Sequence, residues 1–207
     1  QVEVARDMVL DPAAPPRVQV DVDYGDLASA TWKPRGESPV LADLVKSGRL
    51  PTVAERVGPE PLVMRGADGV GRYGGTWHRL AASDDDVGTI AWRMSAATLV
   101  RWSPQGYPLV PHLAKSWEVS PDYREYTFHL RRGMRWSDGV PVTADDFEYW
   151  YEHEVKYFQA TPRMLRNVRG VGRLEKVDAY TITFIFDEPD VLFLERVASC
   201  GTLIAPD

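Results

Sequence analysis

The side chains here that could do chemistry are carboxylates, four histidines and one cysteine, and their spacing decides which reactions stay open. His78, His112, His129 and His153 stand in no i, i+4 relation to one another. A metal site wants two or three ligands held close and braced from behind, so these histidines read as structural or surface residues, and no metal or cofactor is expected. The single Cys200 excludes an internal disulfide framework and a cysteine zinc site and is expected to be a buried thiol. Gly69-Val-Gly-Arg-Tyr-Gly74 spells G-x-G-x-x-G, but a dinucleotide loop must open a helix. Gly75-Thr-Trp-His-Arg-Leu-Ala81 follows instead and reads as a strand, so the glycines predict a turn. Neither G-x-S-x-G nor S-x-x-K with a later K-T-G occurs.

The carboxylates come in groups: Asp84 to Asp86, Asp145 with Asp146, and Glu152 with Glu154. Glycoside hydrolysis needs two carboxyl groups facing each other across roughly 5 to 10 Å, which spacing alone does not supply. Asp145 and Asp146 suit a helix N-terminus, and Glu152 and Glu154 read as solvated. Asp84 to Asp86 follow the expected core strand, where ligand-contacting loops often lie. Ser83, Asp84, Asp85 and the downstream Trp92 are therefore the candidate ligand-binding residues. Carboxylates there would suit amino groups, and an aromatic face would suit a sugar or peptide. A solvated acidic turn is the plain alternative. Of the seven tryptophans, Trp117, Trp136 and Trp150 fall on expected core faces, whereas Trp77, Trp92 and Trp102 lie nearer the acidic group.

The elements that must position these groups are legible in part. Val18, Val20 and Val22 alternate within a Pro-, Asp- and Ala-rich arm over residues 1–37. Ser38-Pro39 offers an N-cap and a first helical proline, followed by an apolar stripe to a stop at Gly48. Thr52-Val-Ala-Glu55 has capping-box spacing for a short helix ending at Gly58, and Leu62 to Met64 is a strand candidate. A helix is expected from Ile90 to Leu99. Trp117 to Val119 and Glu125 to Arg131 predict a hairpin, with Tyr126, Phe128 and Leu130 on one face and Thr127, His129 and Arg131 on the other. Trp136-Ser-Asp-Gly139 predicts a turn. Thr143 then caps a helix with an acidic first turn, on which Phe147, Trp150, Tyr151, Val155 and Phe158 share a face, with Pro162 as its latest end. Leu174 to Val177 and Tyr180 to Phe186 form a second hairpin. Glu188-Pro-Asp190 starts a last helix through Val191, Leu194 and Val197. The class is α+β: antiparallel hairpins and a mixed sheet with interleaved helices.

With 207 residues, 44% of them hydrophobic, the chain can bury a sizeable core. Its 24 basic and 30 acidic residues give a net charge of −6 with no basic block, which argues against nucleic acid as a partner. No run approaches the roughly 18 apolar residues of a membrane span. The chain opens on Gln1, and Thr202 to Asp207 is an apolar run with no closing element, so a piece of a longer protein is expected.

Three ordered segments carry a resemblance. Leu113-Ala-Lys-Ser-Trp-Glu-Val-Ser-Pro-Asp122, Tyr126-Thr-Phe-His-Leu-Arg-Arg-Gly133 and Met134-Arg-Trp-Ser-Asp-Gly-Val-Pro-Val-Thr-Ala-Asp-Asp-Phe147 resemble the extracellular solute-binding proteins of family 5, the peptide and oligopeptide receptors of bacterial ABC importers. Leu50 to Arg56, Gly58 to Val63 and Tyr73 to Trp77 are similar to larger members, some of which carry oligosaccharides. The resemblance implies the N-terminal part of a two-lobed periplasmic-binding-protein-like fold that encloses its solute between lobes. It divides the chain into an arm (1–37), a first-lobe segment (38–89) whose main sheet includes the strand at Gly75, a small extra domain (90–190), and a return toward the first lobe (191–207). It further implies a peptide or oligosaccharide solute, a membrane permease as partner, a monomer, no enzymatic activity, and a place at the outer face of the cell membrane or in the periplasm, with a lipid anchor. In such proteins the loop corresponding to Ser83–Asp85 borders the cleft. A carbohydrate-active enzyme or lectin using the Trp- and Asp-rich first half is the competing reading, with a pure interaction domain as a third.

Overall fold

A computed structural model describes residues 19–20, 36–64, 73–76, 78–95, 97–103, 108–157, 165–167 and 170–199. The chain divides into two compact units, Gln1–Leu80 and Ala81–Asp207. Expectations that fall on Val18, Val22, Gly69, Trp77, Phe158, Pro162, Cys200 and Thr202 to Asp207 lie outside the described residues.

In the first unit, β1 (Gln19–Val20) pairs antiparallel with β2 (Val63–Met64), joining the arm to the strand candidate near Leu62. Between them lie α1 (Ala42–Lys46) and α2 (Val53–Val57). Ser38 does not cap α1. Its carbonyl accepts from Leu41 N–H in a preceding turn, and Leu41 takes the N-cap position. The box at α2 forms as the spacing requires: the Glu55 carboxylate accepts from the Thr52 N–H at 2.8 Å and from its hydroxyl at 2.7 Å. Gly48 and Gly58 end the two helices with φ near +71° and +76°.

The second unit is built on a four-stranded sheet in the order β5 (Ala114–Val119), β6 (Glu125–Leu130), β10 (Thr181–Ile185), β9 (Arg173–Asp178). Both expected hairpins are present, and their second strands pair antiparallel at the centre, Phe128 opposite Ile182 and Tyr126 opposite Phe184. All pairings among the described strands are antiparallel, so the parallel part of a mixed sheet is not found there. Two small ribbons flank the sheet, β3 (Val100–Trp102) with β4 (Leu109–Pro111), and β7 (Arg166–Asn167) with β8 (Gly170–Val171).

α4 (Ala144–Trp150) starts at Thr143, whose hydroxyl accepts from Asp145 N–H while Asp146 accepts from Thr143 N–H at 2.7 Å. Asp146 also accepts from the Trp136 indole N–H at 3.1 Å, which ties the turn to the helix. Gly139 closes that turn at φ near +92°, a conformation a side chain would disfavour. After Trp150 the helix widens into a π-helical stretch, Tyr151–Tyr157, where the 3.6-residue period predicted plain α-helix. Phe147, Trp150, Tyr151 and Val155 are all buried, as their spacing predicts.

The core face of the sheet meets α4 and α5 (Phe193–Ser199). Phe193 is its hub, with ring centroids 4.8 Å from Tyr126, 4.8 Å from Phe186 and 5.1 Å from Phe184. The sequence places the last helix one turn too early: Val191 and Leu192 are exposed, and the buried stripe runs through Phe193 and Val197. Arg131 is also misplaced by strand alternation. β6 ends at Leu130, and Arg131 turns inward, only 4% exposed, its Nε donating to the His112 carbonyl at 2.6 Å.

Candidate functional site

Of the candidate residues, Asp84, Asp85 and Trp92 sit on a helix and Ser83 directly precedes it, rather than all lying in a loop after a strand. α3 runs Asp84–Ser95, starting six residues ahead of the expected start, and Leu99 lies beyond it, directly before β3. Three consecutive aspartates complement the free N–H groups and the positive end of the helix dipole. Asp86 closes the start from inside, accepting from the Ala82 N–H at 2.9 Å and from the Ser83 N–H at 3.2 Å. The strand expected over Gly75–Ala81 is absent from the described residues of that segment. A strand needs a partner and a buried face, whereas Leu80 is 98% exposed.

Ser83, Asp84 and Asp85 are exposed and Asp86 is half-buried. Asp85 and Trp92 are seven residues apart, so their backbone positions fall on nearly the same side of α3, about 10 Å apart along its axis. The Trp92 side chain lies outside the described part. The structure thus places Asp84, Asp85 and Trp92 on one helix, with Ser83 immediately before it. Its exposed start offers carboxylate acceptors to donors such as an ammonium or sugar hydroxyls. It does not offer two carboxyl groups facing each other across an enclosed gap, the arrangement glycoside hydrolysis needs.

Several other described polar groups hold the fold together. Asp145, at the start of α4, lies below the usual carboxylate range because Lys176 hydrogen-bonds it and adds a positive charge. Asp178 is likewise lowered, first by the Tyr180 N–H and then by the Thr181 hydroxyl. Tyr126 donates its hydroxyl to the Asp190 carbonyl at 2.5 Å, and burial, reinforced by the Asp190 carboxylate, pushes the phenol up to about 12. Among the histidines, His78 is exposed, His129 contacts Glu118 at 3.3 Å, and His153 stacks on Tyr149 with centroids 4.3 Å apart. Among the described residues no three His, Cys, Asp or Glu side chains converge to hold a metal ion.

Two features escape sequence reasoning. Trp102 donates its indole N–H to the Ser199 hydroxyl at 3.0 Å, across 97 positions of chain. His112 is tied through its ring to Thr98, fourteen positions earlier. Neither pair leaves a local signal, because both depend on how β3 packs against distant chain.

Residues 108–206 match the family model described as bacterial extracellular solute-binding proteins, family 5 Middle. The chain is 33% identical over 171 residues to the periplasmic alpha-galactoside-binding protein of Rhizobium meliloti, an alignment covering 72% of this chain and 25% of that protein. It is 46% identical over 117 residues to the periplasmic oligopeptide-binding protein OppA of Escherichia coli, covering 49% and 21% respectively. Its backbone superposes on a solved oligopeptide-binding protein OppA with a TM-score of 0.71 at 39% identity, over 84% of this chain and 27% of that one. The periplasmic binding protein MelB of Agrobacterium fabrum, solved in complex with stachyose, gives a TM-score of 0.59 at 27% identity, over 82% and 30%. The chain spans about a quarter or less of the length of the curated relatives it matches.

Proposed function

This chain belongs to the bacterial extracellular solute-binding proteins of family 5, and from that premise we propose that it forms part of the receptor of an ABC importer. In this reading the receptor captures a peptide or an oligosaccharide outside the cytoplasm, at the outer face of the cell membrane or in the periplasm, and delivers it unchanged to a membrane permease. The observation that carries the proposal is the joint likeness, in sequence and backbone, to binding proteins named for oligopeptides and for an alpha-galactoside. The solute classes follow those two names.

On this chain the contacts fall to α3 and the residue just before it. Asp84 and Asp85 accept from an ammonium or from sugar hydroxyls, Ser83 adds a hydroxyl, and Trp92 supplies an aromatic face. Hydrogen bonds to charged groups contribute about 1.5 to 3 kcal/mol each when water is excluded, so a few of them with one aromatic contact suffice for capture. No step breaks a bond in the solute.

The test is calorimetric titration of the protein expressed from the reading frame that contains this sequence, with short peptides and with stachyose, followed by chromatography of the recovered ligand. The expected result is saturable binding near micromolar, about −8 kcal/mol, with the solute recovered intact. Hydrolysed peptide or free monosaccharide would replace the receptor reading with an enzyme, and binding to neither class would remove it.

A further inference from the structure

The hairpin tip between β5 and β6 meets the chain that leads into α5, and the meeting leaves three large apolar side chains facing water. Tyr123 is 47% exposed, and Val191 and Leu192 are 59% exposed each. Buried Asp190 fixes their frame. Its N–H donates to the Tyr123 carbonyl at 2.8 Å, and its own carbonyl accepts from the Tyr126 hydroxyl at 2.5 Å and from the Phe193 N–H at 3.1 Å. Its carboxylate accepts from Arg196. With Asp190 and Phe193 both held inside, Val191 and Leu192 between them are left outside. Single exposed apolar residues are ordinary, whereas a cluster on a fixed frame marks an interaction surface.

Tyr123 supplies a second observation. It follows the turn at Ser120, to whose carbonyl its N–H donates at 2.9 Å, and its φ is +57°, in the left-handed region. Glycine or asparagine takes that conformation at least cost. Among the described residues the tyrosine side chain makes no hydrogen bond or ring contact that would offset the strain. Strain of this kind persists where the side chain serves a function. The surroundings are acidic. Arg124 is shared between Asp122 and Glu188, and Arg173 between Glu175 and Asp187, which leaves two negative charges in surplus. Arg124 also donates to the Asp187 carbonyl at 2.5 Å, tying the two groups together.

We propose that Tyr123, Val191 and Leu192 form the docking surface for the importer's membrane permease, which meets them with an apolar socket rimmed by Lys or Arg. The proposal rests on the receptor reading above. The acidic rim selects this occupant: a second copy docking about a two-fold axis would set rim against rim, and an anionic lipid surface would be repelled. The tyrosine and the two aliphatic side chains form the centre that loses water, held in place before the partner arrives. The rim steers the approach and fixes the orientation.

The experiment uses the protein expressed from the reading frame that contains this sequence, with its permease and ATPase subunits held in lipid nanodiscs. Docking is read by binding kinetics and by the receptor-stimulated ATPase rate. Leu192→Asp should weaken docking roughly tenfold or more, and Tyr123→Asn roughly fivefold or more. Asp187→Lys should slow association and flatten its salt dependence. All three variants should bind short peptides or stachyose as the wild type does. Tyr123→Asn should melt no lower than the wild type, because asparagine accepts the left-handed conformation. Wild-type docking in Leu192→Asp and Tyr123→Asn, beside normal solute binding, overturns this surface and leaves the receptor reading standing. A lower melting temperature in Tyr123→Asn makes the patch a contact within the protein, and a dimer that Leu192→Asp dissociates gives it to a second copy; either overturns the proposal. A wild type that binds no solute removes the receptor reading and this surface with it.

Discussion

Helices α1 and α2 of the first unit bury no side chain, whereas α4 and α5 of the second place Phe147, Trp150, Phe193 and Val197 in one aromatic core. Besides the short β1–β2 pair, the first unit's described contacts are a capping box, two glycine stops, and an ion pair in which Arg56 donates to both oxygens of Glu37 at 2.7 Å. Caps and partly exposed ion pairs contribute about 1 kcal/mol or less each. The second unit gathers four rings, Tyr126, Phe128, Phe184 and Phe186, around Phe193, and each large buried side chain contributes several times that amount. Point changes in the two units should therefore differ in size and in reach.

Trp150→Ala should have the largest effect, because it empties an indole-sized volume between α4 and the sheet, at a cost of about 3 to 5 kcal/mol. Urea unfolding should show the midpoint fall for the whole second unit, and a loss under about 1 kcal/mol would mean that Trp150 is not part of the core. Gly172→Ala comes next. Gly172 is buried, and a Cβ there would overlap the edge of the Phe186 ring, which Tyr126 and Phe193 hold in place. Overpacking of this kind costs about 1 to 3 kcal/mol, and an unchanged melting temperature would show that the ring has room to move. The smallest effect is expected for Thr52→Ala, about 1 kcal/mol or less. It should appear as faster amide exchange within α2, with no shift in the second unit's transition. A large global loss there would erase the contrast between the units.

What the sequence made legible follows the same division. The hairpin over β5 and β6 was readable because Tyr126, Phe128 and Leu130 alternate with Thr127 and His129, and one face must be buried. Thr143 and Asp146 announced α4, and Thr52 with Glu55 announced α2, because a capping box is written within four residues. The errors arise where the deciding contact is distant. Alternation assigns Arg131 outward, yet the strand stops one residue earlier and the His112 carbonyl draws the guanidinium in. Val191 fits a helical period, but the Asp190 N–H is held by the Tyr123 carbonyl and the helix starts beyond it. Gly75–Ala81 has strand composition without a described strand beside it. At the candidate site the residue types were legible but their setting was not, since Ser83 to Asp86 read as a turn after a strand and serve as the start of α3.

The proposed capture and the stability of the second unit fall to different side chains, capture to Ser83 just before α3 and to Asp84, Asp85 and Trp92 along it, and stability to the aromatic core. The most direct measurement is calorimetry of Asp84→Ala and Trp92→Ala, each against the wild type, with the peptide or oligosaccharide that binds best, alongside their melting temperatures. Each variant is expected to weaken binding by about 1 kcal/mol or more, roughly fivefold in Kd, with Asp84→Ala leaving the melting temperature unchanged. Wild-type affinity in both variants would contradict it.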